Sequence, residues 1–431
     1  MSPTFRALRI RNYRQYVTGT LVSNTGTWMQ RVAQDWLVLT LGGGGTALGI
    51  TTGLQFLPVL LLSPYAGVVA DRFSKRRLLQ LTQASMALAS LQLGVLAVTE
   101  VAQTWMVFVI AFVFGIGSAF DAPARQSFVS EMVGPDDLTN AVGLNAASFN
   151  LARIVGPALA GLLIHAFGDG TAATGWVILV NSVSYLAVIT QLQRMDTDRL
   201  HSPKPTGRRP GALVEGVRYV RSQPRMMMIL VMVFFAGTFG MNFMIFSALM
   251  ATQVFGKGAG EFGVLGSALA VGSLTGALLA ARRVRIRLRL LVLSGVGFGL
   301  ALMVASVLPT YLLFACFAPV IGLCTMTLLN SANATMQLSS APELRGRVMA
   351  LYMTIVMGGT PLGSPLIGII GEQYGARWTL AIGGLLTLVG VALAVGVYAR
   401  LTGGWRVLLD ETRHGPHRPI EDVVPEAAHA R

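Results

Sequence analysis

Two pairs of opposite charges stand where charge is costly. Arg31 and Asp35 lie four residues apart in "GTWMQRVAQDWLVL", and Asp121 and Arg125 lie four apart in "FDAPARQSFVSEMV". Four residues is just over one helical turn, so each pair shares a helix face. A third base, Arg153, sits in the apolar run "NLARIVGPALAGLLI". In such surroundings an acid can take up and release a proton, or acid and base can lock neighbouring helices together. For Asp35, tuned by Arg31, both readings are open: a proton-titrating or substrate-contacting acid, or a structural ion pair. For Asp121, Arg125 and Arg153 the simpler reading is a buried triad fixing helix ends. The alternative there is a proton relay or gate, with Pro123 bending the helix between acid and base.

Uncharged polar residues extend these faces. Asn24, Thr27 and Trp28 lie on the broad face that carries Arg31 and Asp35, and such a polar stripe should line a cavity. Later in the chain, Asn242 interrupts a Met- and Phe-rich run, and Asn330, Asn333 and Gln337 repeat at i, i+3, i+7. Met and Phe can form an adaptable wall for hydrophobic ligands, and they serve equally as packing or lipid contact. Enzyme chemistry finds no footing. There is no nucleophile–base set, no cluster of metal ligands and no phosphate-binding Gly-rich loop. His201, His414, His417 and His429 fall in polar segments, and His165 lies beside a loop. Cys316 and Cys324, eight residues apart, would stand about 12 Å apart on a straight helix, too far for a bridge. They read as small core residues. No cofactor and no metal is implied.

The elements that must position these residues are membrane spans. Of 431 residues, 53% are hydrophobic and 12% charged, the latter about half the usual quarter. A net charge of +14 could suggest nucleic acid, but the bases fall in short clusters between apolar runs, as in cytoplasmic loops. Spans of roughly 20 residues are expected at 15–40, 47–70, 77–99, 104–126, 138–166 and 172–192. A second set is expected at 226–254, 261–281, 288–308, 311–339, 346–370 and 376–400. The first, fifth and tenth are more polar than a lipid-facing helix.

The basic residues test that count. With the N-terminus inside, only Lys257 and Arg377 of the 33 Lys and Arg fall outside, and Arg31, Arg125 and Arg153 lie within spans. The asymmetry favours an even number of spans with both termini cytoplasmic. The N-terminus reads as an uncleaved first span preceded by an arm at 1–14. The expected organisation is a six-helix bundle at 15–192, a cytoplasmic linker at 193–225, a second bundle at 226–400 and a disordered tail at 401–431. Within the linker, "ALVEGVRYVRSQ" can form a helix at the membrane surface, after a Pro- and Arg-rich flexible part. The bundles echo each other: the acid-Leu pair and Gly/Pro-rich helix from Asp137 recur from Glu343. Repeated six-helix halves are a transporter signature.

One cluster ties the chain to a known family. "GVVADRFSKRR" resembles the loop 2–3 signature of the major facilitator superfamily, with Gly67, Asp71, Arg72, Lys75 and Arg76 matching and Ser74 where glycine is usual. The stretches around Arg31, Asp121 and Arg153 resemble that superfamily's bacterial efflux branch of enterobactin-type and macrolide exporters. Gly156, Pro157 and Gly161 match the fifth-helix motif of proton antiporters, with Ala152 and Ala160 replacing two glycines.

The resemblance implies an all-α integral membrane fold of twelve transmembrane helices in two pseudo-symmetric six-helix bundles. It also implies a monomer in the bacterial cytoplasmic membrane that moves small amphipathic compounds outward in exchange for protons by alternating access. Asp35, Arg31 and Asp121 are then the proton-coupling candidates. Asp71 becomes a latch meeting the N-terminus of the eleventh helix near Arg347, joining the halves only while the cytoplasmic side is closed. An importer of the same fold and a non-transporting sensor are the alternatives.

Overall fold

The computed structural model describes residues 3–201, 212–282 and 288–402. The first half contributes α1 (Arg11–Thr40), α2 (Gly45–Arg72), α3 (Lys75–Val98), α4 (Thr104–Met132), α5 (Pro135–Ala166) and α6 (Thr171–Gln193). The second contributes α7 (Pro224–Val254), α8 (Ala259–Ala281), α9 (Leu288–Val307), α10 (Tyr311–Ser339), α11 (Arg345–Gln373) and α12 (Ala376–Leu401). A short linker helix, Ala212–Ser222, precedes α7. No strand occurs among the described residues. The Pro- and Arg-rich part of the linker and the tail beyond Thr402 lie outside them.

Among the described residues, eleven of the twelve long helices are apolar enough to cross a membrane. The exception is α1, and its neighbours explain why. Its polar side chains face other helices rather than lipid. Ser90 and Asn181 donate to Gln30 Oε1 at 2.6 and 2.5 Å, and Ser23 donates to Gln83 at 3.2 Å. Thr27 meets the Tyr185 hydroxyl at 3.0 Å. With no water in the hydrocarbon, such groups must be satisfied by protein, so a polar α1 belongs at the centre of its bundle. The arm before it is ordered. A 3-10 turn at Pro3–Arg9 brings Arg6 onto Asp137 and the Asp136 carbonyl. The Ala7 N–H donates to Asn140 at 3.0 Å.

Boundaries depart from expectation in two places. α4 runs on to Met132, helical through Pro123, because its last turns are buried against the bundle. α7, expected as one continuous helix, is broken. A π-turn at Ala236–Gly240 is followed by non-helical Met241 and Asn242, and a second π-turn closes the helix at Met250–Val254. Irregular backbone at this depth is tolerated where it lines a cavity or is buried in protein. Cys316 is exposed rather than core, and both cysteines are free.

The halves meet through small residues at the end away from the linker helix. A Cβ at Gly49 of α2 would lie 2.3 Å from the Ser364 carbonyl oxygen of α11. One at Gly263 of α8 would lie 2.3 Å from the Pro157 oxygen of α5. Only glycine allows backbones so close. Glu372 of α11 closes the same end. Its carboxylate accepts the Thr46 N–H at 2.8 Å, on the first turn of α2, where unpaired N–H groups favour an anion. At the linker end, a Cβ at Gly143 or Gly346 would meet nothing within 4 Å.

A leucine at Gly49 should therefore hold the α2–α11 seam apart while each half stays folded. Spin labels at Gly42 and Tyr374 should report a longer distance in the Gly49→Leu variant. An unchanged distance distribution would show that the seam is not what closes this end.

Candidate functional site

Four helices from both halves enclose a cavity of about 110 Å³. α1 supplies Arg31 and Asp35, α2 supplies Thr52, Gln55 and Phe56, the break in α7 supplies Asn242 between Met241 and Met244, and α11 supplies Thr360. The sequence pointed to Arg31, Asp35 and Asn242, and the fold brings these three together. It did not point to Thr52, Gln55, Phe56 or Thr360, which look like ordinary polar and aromatic residues of spans until α2 and α11 are paired.

The charges on α1 are arranged unexpectedly. Asp35 is 6% exposed, yet among the described residues it accepts no hydrogen bond and makes no ion pair within 4.0 Å. The Arg31 guanidinium instead lies 4.7 Å from the centre of the Trp28 ring and 5.1 Å from that of Phe56. Two aromatic faces thus stand where a carboxylate was expected. Trp28 in turn packs edge-on against Phe149 of α5, ring centres 5.9 Å apart. Asn242 donates to the Thr238 carbonyl at 2.8 Å, and its Oδ1 is buried with no donor.

The second charge pair behaves oppositely. Arg125 Nε donates to Asp121 Oδ2 at 2.9 Å, and Thr82 and Gln83 donate to Oδ1 at 3.0 and 2.7 Å. A further Arg125 N–H reaches Thr20 Oγ1 at 3.3 Å. Asp121 is thereby saturated. Arg153 does not join it, so the expected triad is a pair with α3 as third partner. Arg153 donates to Asn150 at 3.2 Å, and its Nε is buried without an acceptor.

The loop between α2 and α3 is built into the bundle. Lys75 and Glu131 form an ion pair at 2.5 Å with side chains 10% and 11% exposed. Arg76 donates to the Leu192 and Gln193 carbonyls at 2.6 and 3.1 Å, satisfying the open end of α6. Gly67 lies in the last turns of α2, Arg72 is exposed, and the side chain of Asp71, the expected latch, lies outside the described residues. At the α11 N-terminus, Arg347 pairs with Glu215 of the linker helix, a partner that α11 alone could not reveal.

The remaining sequence candidates divide between packing and surface. Gly156 brings α5 onto α1, a Cβ there standing 2.6 Å from that of Trp28. Pro157 and Gly161 form the α8 seam. Thr27 turns to Tyr185, and Asn24 is half-buried near the linker-end face. On α10, Gln337 donates to Asn333 at 2.5 Å, and neither they nor Asn330 reach the cavity. No group of three or more possible metal-ligating side chains occurs among the described residues.

Known proteins set this geometry in context. A staphyloferrin A transporter of Staphylococcus aureus is 25% identical over 394 residues, covering 90% of this chain and 96% of that protein. A multidrug efflux pump, Tap, of Mycolicibacterium fortuitum is 28% identical over 381 residues, covering 86% and 92%. In structure, the nucleoside transporter NupG superposes with a TM-score of 0.69 at 14% identity, over 90% of this chain and 99% of that one. The profile of the transmembrane secretion effectors matches residues 2–420, and the chain belongs to that family, within the major facilitator superfamily of multi-pass membrane transporters.

Proposed function

We propose that this protein exports small amphipathic compounds across the bacterial cytoplasmic membrane in exchange for protons. The cavity on α1, α2, α7 and α11 is opened alternately to either side by rocking of residues 15–192 against 226–400. The observation that carries this reading is Asp35: a buried carboxylate with no donor and no ion-pair partner, on the wall of an inter-half cavity. A carboxylate left so in a membrane span costs about 2.5–3.5 kcal/mol or more when charged. It therefore exchanges its charge for a proton whenever its surroundings change, as alternating access requires. By their names, one related transporter carries staphyloferrin A and the other is a multidrug efflux pump, and both outward and proton-driven movement suit a cavity of this kind.

Orientation follows from the basic residues. The linker end carries the Arg- and Lys-rich loops, so it is the cytoplasmic end, and the closely packed seam with Glu372 is the outer one. The conformation is then open inward, ready to load from the cytoplasm. Asp71 belongs to the opposite closure, as the counterpart of Glu372 at the other end of the α2–α11 pair.

Two outcomes test the assignment. In proteoliposomes with an imposed pH gradient, Asp35→Asn should abolish proton-driven movement of a lipophilic dye substrate while downhill movement continues. Proton-driven movement at the normal rate would remove Asp35 from coupling. Stability should separate the two acids. Asp121→Asn leaves Arg125 buried without its counter-charge and should cost about 3–5 kcal/mol, lowering the melting temperature in detergent. Asp35→Asn removes an unpaired charge and should leave that temperature unchanged or raised. Equal losses in both variants would show that Asp35 is structural as well.

A further inference from the structure

The linker helix carries more positive charge than its packing uses. Val220, 1% exposed, joins the core, the Tyr219 hydroxyl accepts the Ala341 N–H at 3.3 Å, and Glu215 pairs with Arg347 of α11. Arg218 and Arg221 are exposed. Among the described residues, neither side chain has a carboxylate within 4.0 Å or a hydrogen-bond partner. An accessible guanidinium without a counter-charge is free to take an anion, phosphate above all.

Arg221 borders a groove of about 340 Å³. Every other residue that lines it is apolar, among them Val217 of the linker helix, Met227, Val231 and Phe234 of α7, and Leu351 and Ile355 of α11. Its direction follows from helix geometry. Leu351 and Ile355 precede Thr360, the α11 residue of the inter-half cavity, by nine and five positions. At 3.6 residues per turn they stand about 180° and about 140° round the helix from it. Ile355 instead shares its face with Leu362, Leu366 and Ile369, which are 54%, 50% and 37% exposed. The groove therefore opens away from the cavity, on the side that meets lipid. From Met227 to Phe235 it follows α7 for about 12 Å, most of the depth of one leaflet in a hydrocarbon core about 30 Å thick.

The geometry points to a site for one anionic phospholipid, with its phosphate on Arg221 and an acyl chain along α7 and α11. The site goes beyond the transport reading and depends on neither proton coupling nor direction. Each part of the groove selects a different feature of the ligand. Arg221, with Arg218 one turn before it on the same helix, favours a head group of net negative charge over a zwitterionic one. The apolar walls favour a chain, which a free anion lacks. A second lipid-sized groove shows the contrast: that between α3 and α4, about 550 Å³, has no charged side chain on its walls and so offers no preference among head groups.

Photolabelling of the full-length protein in phosphatidylcholine vesicles tests this. Two probes carry the same diazirine-bearing chain, one on phosphatidylglycerol and one on phosphatidylcholine, each as a minor component. Peptides holding Met227–Phe235 and Leu351–Ile355 should be labelled at least about fivefold more by the phosphatidylglycerol probe, and those of the α3–α4 groove about equally by both. Unlabelled phosphatidylglycerol should displace the probe and inorganic phosphate should not. Arg221→Gln should remove most of the preference, and Arg221→Lys should keep most of it. Equal labelling of the α7–α11 groove by the two probes, or an unchanged preference in Arg221→Gln, would overturn the inference. So would displacement by inorganic phosphate, which would leave an anion site alone, or labelling by neither probe, as when a second copy of the chain covers the groove. The wild-type comparison stands even if a variant fails to fold.

Discussion

The cost of burying charge away from water organises this molecule. A helix bundle in hydrocarbon can keep an ionised group only by surrounding it with opposite charge and hydrogen bonds. Asp121 meets the condition fully, with Arg125, Thr82 and Gln83 on its two oxygens. Lys75 and Glu131 meet it at the linker end, where they join the start of α3 to the end of α4. Against these, Arg31 is held by aromatic faces, and Asp35, among the described residues, by no hydrogen bond and no ion pair within 4.0 Å. The same problem is solved twice by pairing, while the acid on the cavity wall has no such pair. Asp121 and Asp35 have the same chemistry and the same i,i+4 arrangement with arginine; their neighbours give them different surroundings.

A second constraint decides where the halves can touch. Backbones come together only where side chains are absent, at Gly45 and Gly49 against α11 and at Gly263 against Pro157. These contacts sit at one end, while at the other a Cβ at Gly143 or Gly346 would meet nothing within 4 Å. Because α2 and α11 run antiparallel, each end of the pair presents one helix N-terminus and one C-terminal acid. Glu372 at the end of α11 already occupies the start of α2. Asp71 stands at the matching place in the sequence, in the last turn of α2.

Much of this was legible from residue patterns, for physical reasons. Hydropathy fixes the spans because lipid selects for it directly, and the polarity of α1 betrayed its central place. Arg31, Asp35 and Asn242 were visible because each is anomalous in an apolar run. What stayed hidden depends on pairing between distant segments. Thr52, Gln55 and Thr360 become cavity residues only once α2 lies against α11. Glu131 is an ordinary acid near a helix end until α3 places Lys75 beside it. The break in α7 left little trace, since Gly237 and Gly240 are common in spans and Met241–Asn242 carries no turn signature. The separation of Arg31 from Asp35 was illegible altogether, because it depends on Phe56, a residue of another helix.

These points converge on why the cavity sits where it does. A continuous α7 would have sealed its backbone and pointed Asn242 wherever helical periodicity dictated. The π-turn and the two non-helical residues after it unwind the helix at Asn242, a residue of the same cavity wall as Asp35. Irregular backbone carries an energetic cost that a purely structural helix has no reason to bear. The same holds for an unpaired carboxylate and for an amide oxygen without a donor. These three features meet at residues lining one cavity of about 110 Å³. A proton taken up in that cavity removes the cost at the carboxylate.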